Sequence, residues 1–422
     1  MDLLRQTQDA AAAGATGAAL DWQPEDPATL ADPYPLFERM REQDPCHWSP
    51  RLKSWVLTRY EDVKRVCMDK TQLSSDRLRP FFQSMPGAEA ARLSDIIRYL
   101  SLWMVFKDPP EHTRLRRLAG KVFHAQSMQA MRPQVQAIAD HLLQGLDERE
   151  EFDFISEFAG PLPCLVIMAM LGVPDSELTD MKRLSDQMAL FIGSSRTSPE
   201  KYGIAEAATQ EMAAFFRTLI AARRTLPRQD LLSELVHLRE GEDRLSEDEL
   251  VAMCIMLLFA GHETTTNHIA NGMLSLMSFP GEMAKLRADP SLAAAAVEEL
   301  LRYDGPSGAQ VRLVAQAHEL HGKQMLPGQR VFIMLNAANR DPRAYADPDR
   351  LDLERDGVAH LAFGFGTHMC LGFPLARTEG QVAFPALLRH YRRIEPVSPS
   401  NPWINSLVFR GMSELRVRVQ RA

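Results

Sequence analysis

Apolar positions recur at helical spacing through most of the chain, from about His112 to Arg302, in segments separated by Pro and Gly. "SPEKYGIAEAATQEMAAFFRTLIAARRT", residues 198–225, is one amphipathic example. The longest such period opens at "SEDELVAMCIML", where Ser246 followed by Glu249 has the spacing of a capping box, and it runs until Pro280. Some ~30 residues of helix reach ~45–50 Å, enough to cross a whole domain. Nearer the N-terminus, "PLFERMREQDPCHW" predicts a short helix and "SWVLTRY" a strand, by alternation and by β-branched and aromatic content. Beyond Arg302 the texture changes. "GKQMLPGQRVFIML", 322–335, reads as a hairpin, and an irregular stretch, "NRDPRAYADPDRLDLERDGVAHLAFGFG", follows it almost to Cys370. Structureless segments longer than about 15 residues are uncommon unless functional. The pattern predicts a mainly α-helical fold with a small β region and a structured coil ahead of Cys370.

Composition narrows the class. Of 422 residues, 45% are hydrophobic and 24% charged, ordinary values for a soluble globular protein with a large core. The net charge of −7 lacks the basic footprint of nucleic-acid binding. The longest apolar runs, such as "VAMCIMLLFAG" at 251–261, fall short of the ~18 residues that span a bilayer. The first 20 residues hold alanines but also Asp2 and Asp9, so a disordered tail over 1–20 is expected in place of a secretion signal, with a single domain over 21–422. Cys46, Cys67, Cys164, Cys254 and Cys370 are scattered without C-x-x-C pairs. That fits neither a disulfide framework nor a zinc site, and points to a reducing cytoplasm.

Four stretches carry candidate chemistry. In "AFGFGTHMCLG", 362–372, a lone cysteine sits among glycines just before the helix-like "LGFPLARTEG". Glycines serve where backbone turns with positive φ or another group comes close, and a helix N-terminus lowers a thiol's pKa, so the segment reads as a prepared thiolate. Within the long helix, "LLFAGHETTTNHIA", 257–270, interrupts an apolar run with Gly261, Glu263 and three threonines. Either the threonines bond back to carbonyls in a core helix, or the helix opens for a small ligand beside an acid and a hydroxyl. "EELLR" sets Glu299 and Arg302 three apart, which as a surface pair contributes only ~0.2–0.5 kcal/mol. "DPPEHTRLRRLAGKVF", 108–123, places His112 and Arg116 on one helical face, either as a solvated charge surface or as a clamp for an anion.

In order and spacing, "DPPEHTRLRRL", "AGHETT", "EELLR", "ANRDPRAYADPDRLD" and "FGFGTHMCLG" together resemble the cytochrome P-450 superfamily, in its soluble bacterial form, over nearly the whole chain. The resemblance implies one domain of that fold holding haem b between the long helix and the cysteine loop. It makes Cys370 the thiolate ligand of the iron, in a loop shaped by Phe363, Gly366 and Gly372. It assigns His112, Arg116, Arg312 and His368 to the haem propionates, and Ala260, Gly261, Glu263 and Thr264 to an oxygen-binding groove with Glu263 and Thr264 catalytic. It gives Glu299, Arg302 and Arg350 to a buried charge cluster. Thiolate ligation favours O–O cleavage, whereas a histidine ligand suits oxygen storage. The one departure lies at "DGPSGAQ", where Ser307 and Gly308 stand in place of larger residues.

The implied reaction inserts one oxygen atom from O2 into a bulky apolar molecule such as a polyketide or macrolide, terpenoid or steroid. Electrons come from NAD(P)H through a separate ferredoxin or flavodoxin and its reductase, to a cytoplasmic monomer with no membrane or nucleic-acid partner. The alternatives are a fatty-acid hydroxylase, a peroxide-driven haem enzyme, and a non-catalytic haem sensor. The expected pocket residues are Phe81, Phe82, Leu100, Met104, Phe191, Leu257, Ala260, Ser307 and Leu407. Arg79 and Arg98 are candidate carboxylate anchors, and Arg114, Arg117, Lys121 and Arg377 a basic face for an acidic electron donor.

Overall fold

A computed structural model describes residues 20, 26–192, 200–239 and 241–422. The expected tail, apart from Leu20, lies outside the described residues, as do the first two residues of the 198–225 segment. Eight helices position the site: α1 Glu111–Gly120, α2 Arg132–Gln144, α3 Pro161–Leu171, α4 Leu178–Ile192, α5 Glu200–Thr225, α6 Glu247–Ser278, α7 Ala293–Asp304 and α8 Phe373–His390. The strands are β1 Cys46–Ser49, β2 Ser54–Leu57, β3 Leu73–Ser74, β4 Glu151–Asp153, β5 Ala309–Val314, β6 His318–Leu320, β7 Lys323–Met325, β8 Arg330–Met334, β9 Tyr391–Pro396 and β10 Arg416–Arg421.

The long helix α6 starts as its sequence predicts. Ser246 Oγ accepts from the Glu249 amide at 3.2 Å, and Glu249 returns a carboxylate oxygen to the Ser246 amide at 2.8 Å. Its 32 residues end at Ser278, two before Pro280. Helices α3, α4, α5, α7 and α8 all pack against it. Burial follows: 250–259 and 265–273 are inaccessible, so a helix apolar on every side is accommodated as the centre of the molecule. The exception is midway, where Ala260 is exposed and Gly261, Glu263 and Thr264 are partly so.

The main sheet runs β1-β2-β8-β5-β3, with β2 and β8 parallel and the other pairs antiparallel. The hairpin expected over 322–335 does not form as such. Lys323–Met325 turns back onto His318–Leu320, and Arg330–Met334 enters the sheet between β2 and β5. Its apolar run, VFIM, is buried throughout, and a central strand gives those side chains cover that a two-stranded ribbon lacks.

Behind the cysteine loop, Arg302 grips Glu299 with Nε and Nη2 at 2.7 and 2.8 Å, both residues buried. The third member is Arg355, whose Nε reaches Glu299 Oε1 at 3.1 Å. This corrects the expectation for Arg350. That side chain is 62% exposed and only 3.9 Å from Asp352, while its backbone carbonyl accepts from Arg302 and Arg355. The guanidinium groups also donate to the carbonyls of Asn339, Ala346, Asp347 and Pro348. An irregular coil, with few backbone partners of its own, is thereby held in one shape.

Candidate functional site

The cysteine loop closes on itself before α8 begins. The Cys370 amide donates to Phe363 O at 2.9 Å, and Gly364 and Gly366 both take left-handed φ, +69° and +68°. A Cβ on Gly366 would lie 2.7 Å from the Cys67 carbonyl, so only glycine lets the loop press against the neighbouring helix. The Phe363 ring lies 5.2 Å from the Arg377 guanidinium and 6.1 Å from the Phe373 ring. Gly372 caps α8, and a Cβ there would meet the sulfur at an ordinary 4.0 Å. Its value to the site is therefore its amide more than its lack of a side chain.

Cys370 is the exposed thiol of the five; the others are buried. Its exposure is internal, since the residue sits among packed elements and burial is the main influence on its sulfur. Burial pushes the thiol up, and the amides of Gly372 and Phe373 with the charges of Arg116 and Arg377 pull it only partly back. The prepared thiolate expected from the helix N-terminus is thus not produced by the protein's field alone, because desolvation outweighs dipole and cations. A metal cation supplies the missing term by deprotonating a coordinating thiol outright.

The exposed midpoint of α6 carries the second group of candidate residues. Thr264 Oγ1 donates to Ala260 O at 3.0 Å, and Thr266 Oγ1 to His262 O at 3.0 Å, so the back-bonding account of the threonines holds locally. A Cβ on Gly261 would approach Ile167 Cγ1 to 3.2 Å, and glycine there lets α3 close on α6. The Glu263 carboxylate accepts from Asn267 Nδ2 at 3.4 Å. Burial, and then the nearby Asp186 carboxylate, raises its pKa to about 7.

A cationic group lies beside the cysteine loop. The rings of His112 on α1 and His368 stand 4.1 Å apart. Burial and neighbouring cations lower them to about 4 and about 3, so both are neutral at pH 7. Buried Arg312, on β5, donates to Val311 O and Gln310 Oε1, at 3.0 and 3.1 Å, and among the described residues to no carboxylate. Arg116 is pulled down by burial and held up by Cys370. The nearby Asp108 carboxylate is already engaged by Ser74 Oγ and the Ser75 amide, at 2.5 and 2.8 Å. His112 Nδ1 is buried without a partner. Sequence reading missed Arg77 here, which lies over the Phe106 ring at 4.6 Å and is lowered to about 10 by burial, Arg312 and Arg330. No motif marks it.

A cleft of about 820 Å³ opens alongside, lined by Arg77, Phe81, Phe106, Phe191, Tyr202 and Arg330 among others. Phe81 and Phe191 thus face space as expected, with Phe82 stacked on Phe191 at 6.3 Å behind them. The remaining expected pocket residues do not line this cleft. Leu100 is fully buried, and Met104 and Leu257 are core residues 6% and 7% exposed. Ser307 bridges to Phe409, and Leu407 lines a separate hollow of about 60 Å³. The two carboxylate anchors are already paired, Arg79 with Asp76 and Glu111 and Arg98 with Asp248. The basic face is likewise largely neutralised. Arg114 pairs with Asp243 and Glu249, Arg117 with Asp243, and Arg377 with Glu298.

A family model described as Cytochrome P450 matches residues 45–410. The chain belongs to that family. Cytochrome P450 107B1 of Saccharopolyspora erythraea is 40% identical over 410 residues, spanning 96% of this chain and 99% of its own length. The 6-deoxyerythronolide B hydroxylase of the same organism is 36% identical, spanning 92% and 96%. Among solved structures, P450BioI in complex with an acyl carrier protein ligated to hexadec-9Z-enoic acid matches with a TM-score of 0.86 at 31% identity, covering 93% of this chain and 99% of that one. The protein is therefore a P450 monooxygenase with haem as its cofactor. Its residues fit that group on physical grounds. One thiol of the five is exposed, and among the described residues the adjoining cations and the orphaned His112 nitrogen have no carboxylate partner of the kind a haem brings. Among the described residues no helix is long and apolar enough to cross a membrane.

Proposed function

We propose that Cys370 ligates the haem iron, that His112, Arg116, Arg312 and His368, joined by Arg77, hold its two carboxylates, and that the P450 takes bulky apolar substrates. The carrying observation is the exposed thiol of Cys370 in its glycine loop, beside the cationic cluster of His112, Arg116, Arg312 and His368. When bound, haem supplies the reductive activation of dioxygen and transfer of one oxygen atom to substrate. The protein's own work is proton delivery and exclusion of water. Thr264 presents a hydroxyl one helical turn from Ala260, and Glu263, poised near neutrality, gives up or takes a proton at physiological pH. The aromatic lining around Phe81, Phe191 and Tyr202 favours large apolar molecules, since burial stabilises by ~25 cal/mol per Å².

A second reading for the substrate rests on Arg330, which shares the cleft with those aromatics, donates to the Leu52 carbonyl and, among the described residues, pairs with no carboxylate. It would suit an amphiphile with an anionic end, such as a long-chain acid. Electrons are proposed to arrive from a ferredoxin or flavodoxin and its NAD(P)H-dependent reductase. The test has two stages. A spectral screen follows loss of the distal water as macrolides, steroids, terpenoids and long-chain acids bind. Product formation is then compared with NADPH plus partners and with peroxide alone. Small polar compounds binding best would overturn the substrate class, and turnover with peroxide only would overturn the electron route.

A further inference from the structure

Asp186 on α4 and the consecutive residues His262 and Glu263 on α6 each offer one ligand atom, and these three atoms lie within 4.8 Å of one another. His262 is 1% exposed. Its Nδ1 lies 3.3 Å from Ser185 Oγ, while its Nε2 has no hydrogen-bond partner. Leaving a buried polar nitrogen unpaired costs free energy, and this half-satisfied imidazole belongs to a cluster whose other two members are carboxylates. Burial keeps this imidazole neutral, which is its ligand form. Asp186 is 48% exposed, so the cluster opens to water on one side. The nearby cation is Lys182, at 3.2 Å from Asp186 Oδ2, and two carboxylates against one ammonium leave the site attractive to a cation.

We propose that Asp186, His262 and Glu263 form a binding site for a divalent cation of the zinc type. One nitrogen and two carboxylate oxygens, with water completing a tetrahedron, match the donor preference of Zn2+, whereas Mg2+ and Ca2+ favour all-oxygen shells. Ligand atoms ~2.0–2.2 Å from a tetrahedral zinc lie ~3.4 Å apart, and the three here need draw together only within their 4.8 Å span. The flexible, half-exposed Asp186 and the Glu263 side chain supply the movement, and the packed His262 is the fixed point. The ion would join α4 to α6. Resting on the reading of Glu263 as a proton carrier, it would also take that carboxylate out of use and act as a reversible inhibitor.

The test uses the chelator-treated haem-loaded enzyme. Zn2+ is titrated calorimetrically, and melting temperature is followed with and without Zn2+, in wild type, Asp186→Asn and His262→Gln, with Mg2+ as the control cation. The expected result is one tight equivalent of Zn2+ and a raised melting temperature in wild type, with affinity at least tenfold weaker in Asp186→Asn and no response to Mg2+. Equal Zn2+ affinity and equal thermal response in wild type and Asp186→Asn would overturn the site. His262→Gln adds to the result if it folds, but the exposed Asp186 carries the test. The rate of NADPH oxidation with and without Zn2+ separates the two readings. A wild type that binds Zn2+ through Asp186 yet keeps its NADPH oxidation rate upholds the metal site and removes Glu263 from proton delivery.

Discussion

Glu299 is held from two sides, by Arg302 from its own helix and by Arg355 from a coil more than fifty residues on, and all three help to shape the segment that leads to the cysteine loop. Glu299 and Arg302 are buried, so their pair has little in common with an exposed i,i+3 pair on a helix surface. Glu299→Ala strands two guanidinium groups and the Asp352 amide, which donates to Glu299 at 2.9 Å. Breaking a buried pair from one side costs ~3–5 kcal/mol, and a large drop in melting temperature and haem content is expected. Arg350→Ala retains the backbone carbonyl that matters and should stay within ~0.5 kcal/mol of wild type in denaturant unfolding. Arg350→Ala proving as damaging as Arg355→Ala would undo the reassignment.

Cys370→Ser should abolish the strongly red-shifted band of the reduced carbon-monoxide complex, which reports a thiolate opposite the gas ligand. Cys67→Ser, at a buried thiol beside the same loop, should retain it. The absorption spectrum of each variant decides. A band that survives in Cys370→Ser would move the iron ligand to another cysteine.

Glu379 on α8 is a buried acid with one hydrogen-bonding neighbour, Thr265, and an oxygen without a partner. Burial raises its pKa to about 8. Between the unfolded value near 4.5 and about 8, the folded protein therefore binds more protons than the unfolded chain at this site, and stability falls as pH rises through that window. The full effect is on the order of 5 kcal/mol, complete above about pH 8. Glu379→Gln should remove this slope and be the more stable form at alkaline pH. Unfolding free energies at pH 5, 7 and 9 check it, and parallel profiles for the two proteins would refute it.

How far the sequence carries the reader differs from element to element. Ser246 and Glu249 announce α6, and the glycine pattern around Cys370 announces its loop, because caps and positive-φ positions are local chemistry. The pairing of β8 with β2 joins residues some 275 positions apart, and nothing in "GKQMLPGQRVFIML" says that its second half belongs to a larger sheet. Arg350 and Arg355 sit in a coil without periodicity, so spacing cannot choose between them; only the fold of the coil around Glu299 does. Arg77 and Asp186 acquire their meaning from neighbours brought in by other elements. The pairing that neutralises Arg114, Arg117 and Arg377 is likewise invisible in a count of charges.

Thr264→Ala should separate NADPH consumption from product formation, whereas Glu263→Gln should slow both. The Thr264 hydroxyl, back-bonded to Ala260 O at the exposed midpoint of α6, is the group proposed to position a proton donor. Alanine removes that hydroxyl without touching the cationic cluster or the thiol, so haem and substrate should still bind. Oxygen reduction then ends more often in released hydrogen peroxide. In the proposed path Glu263 acts earlier, with the Asp186 carboxylate beside it. A pKa of about 7 lets it hold a proton below neutrality and release it above, and glutamine can do neither. Positioned proton transfer contributes ~10²–10⁴-fold, so NADPH oxidation in Glu263→Gln should fall by about 10² or more. The measurement is product and peroxide formed per NADPH, with rates, for wild type and both variants. If Thr264→Ala keeps wild-type coupling, the proton path runs through another group, and a hydroxyl carried by the substrate is the first to examine.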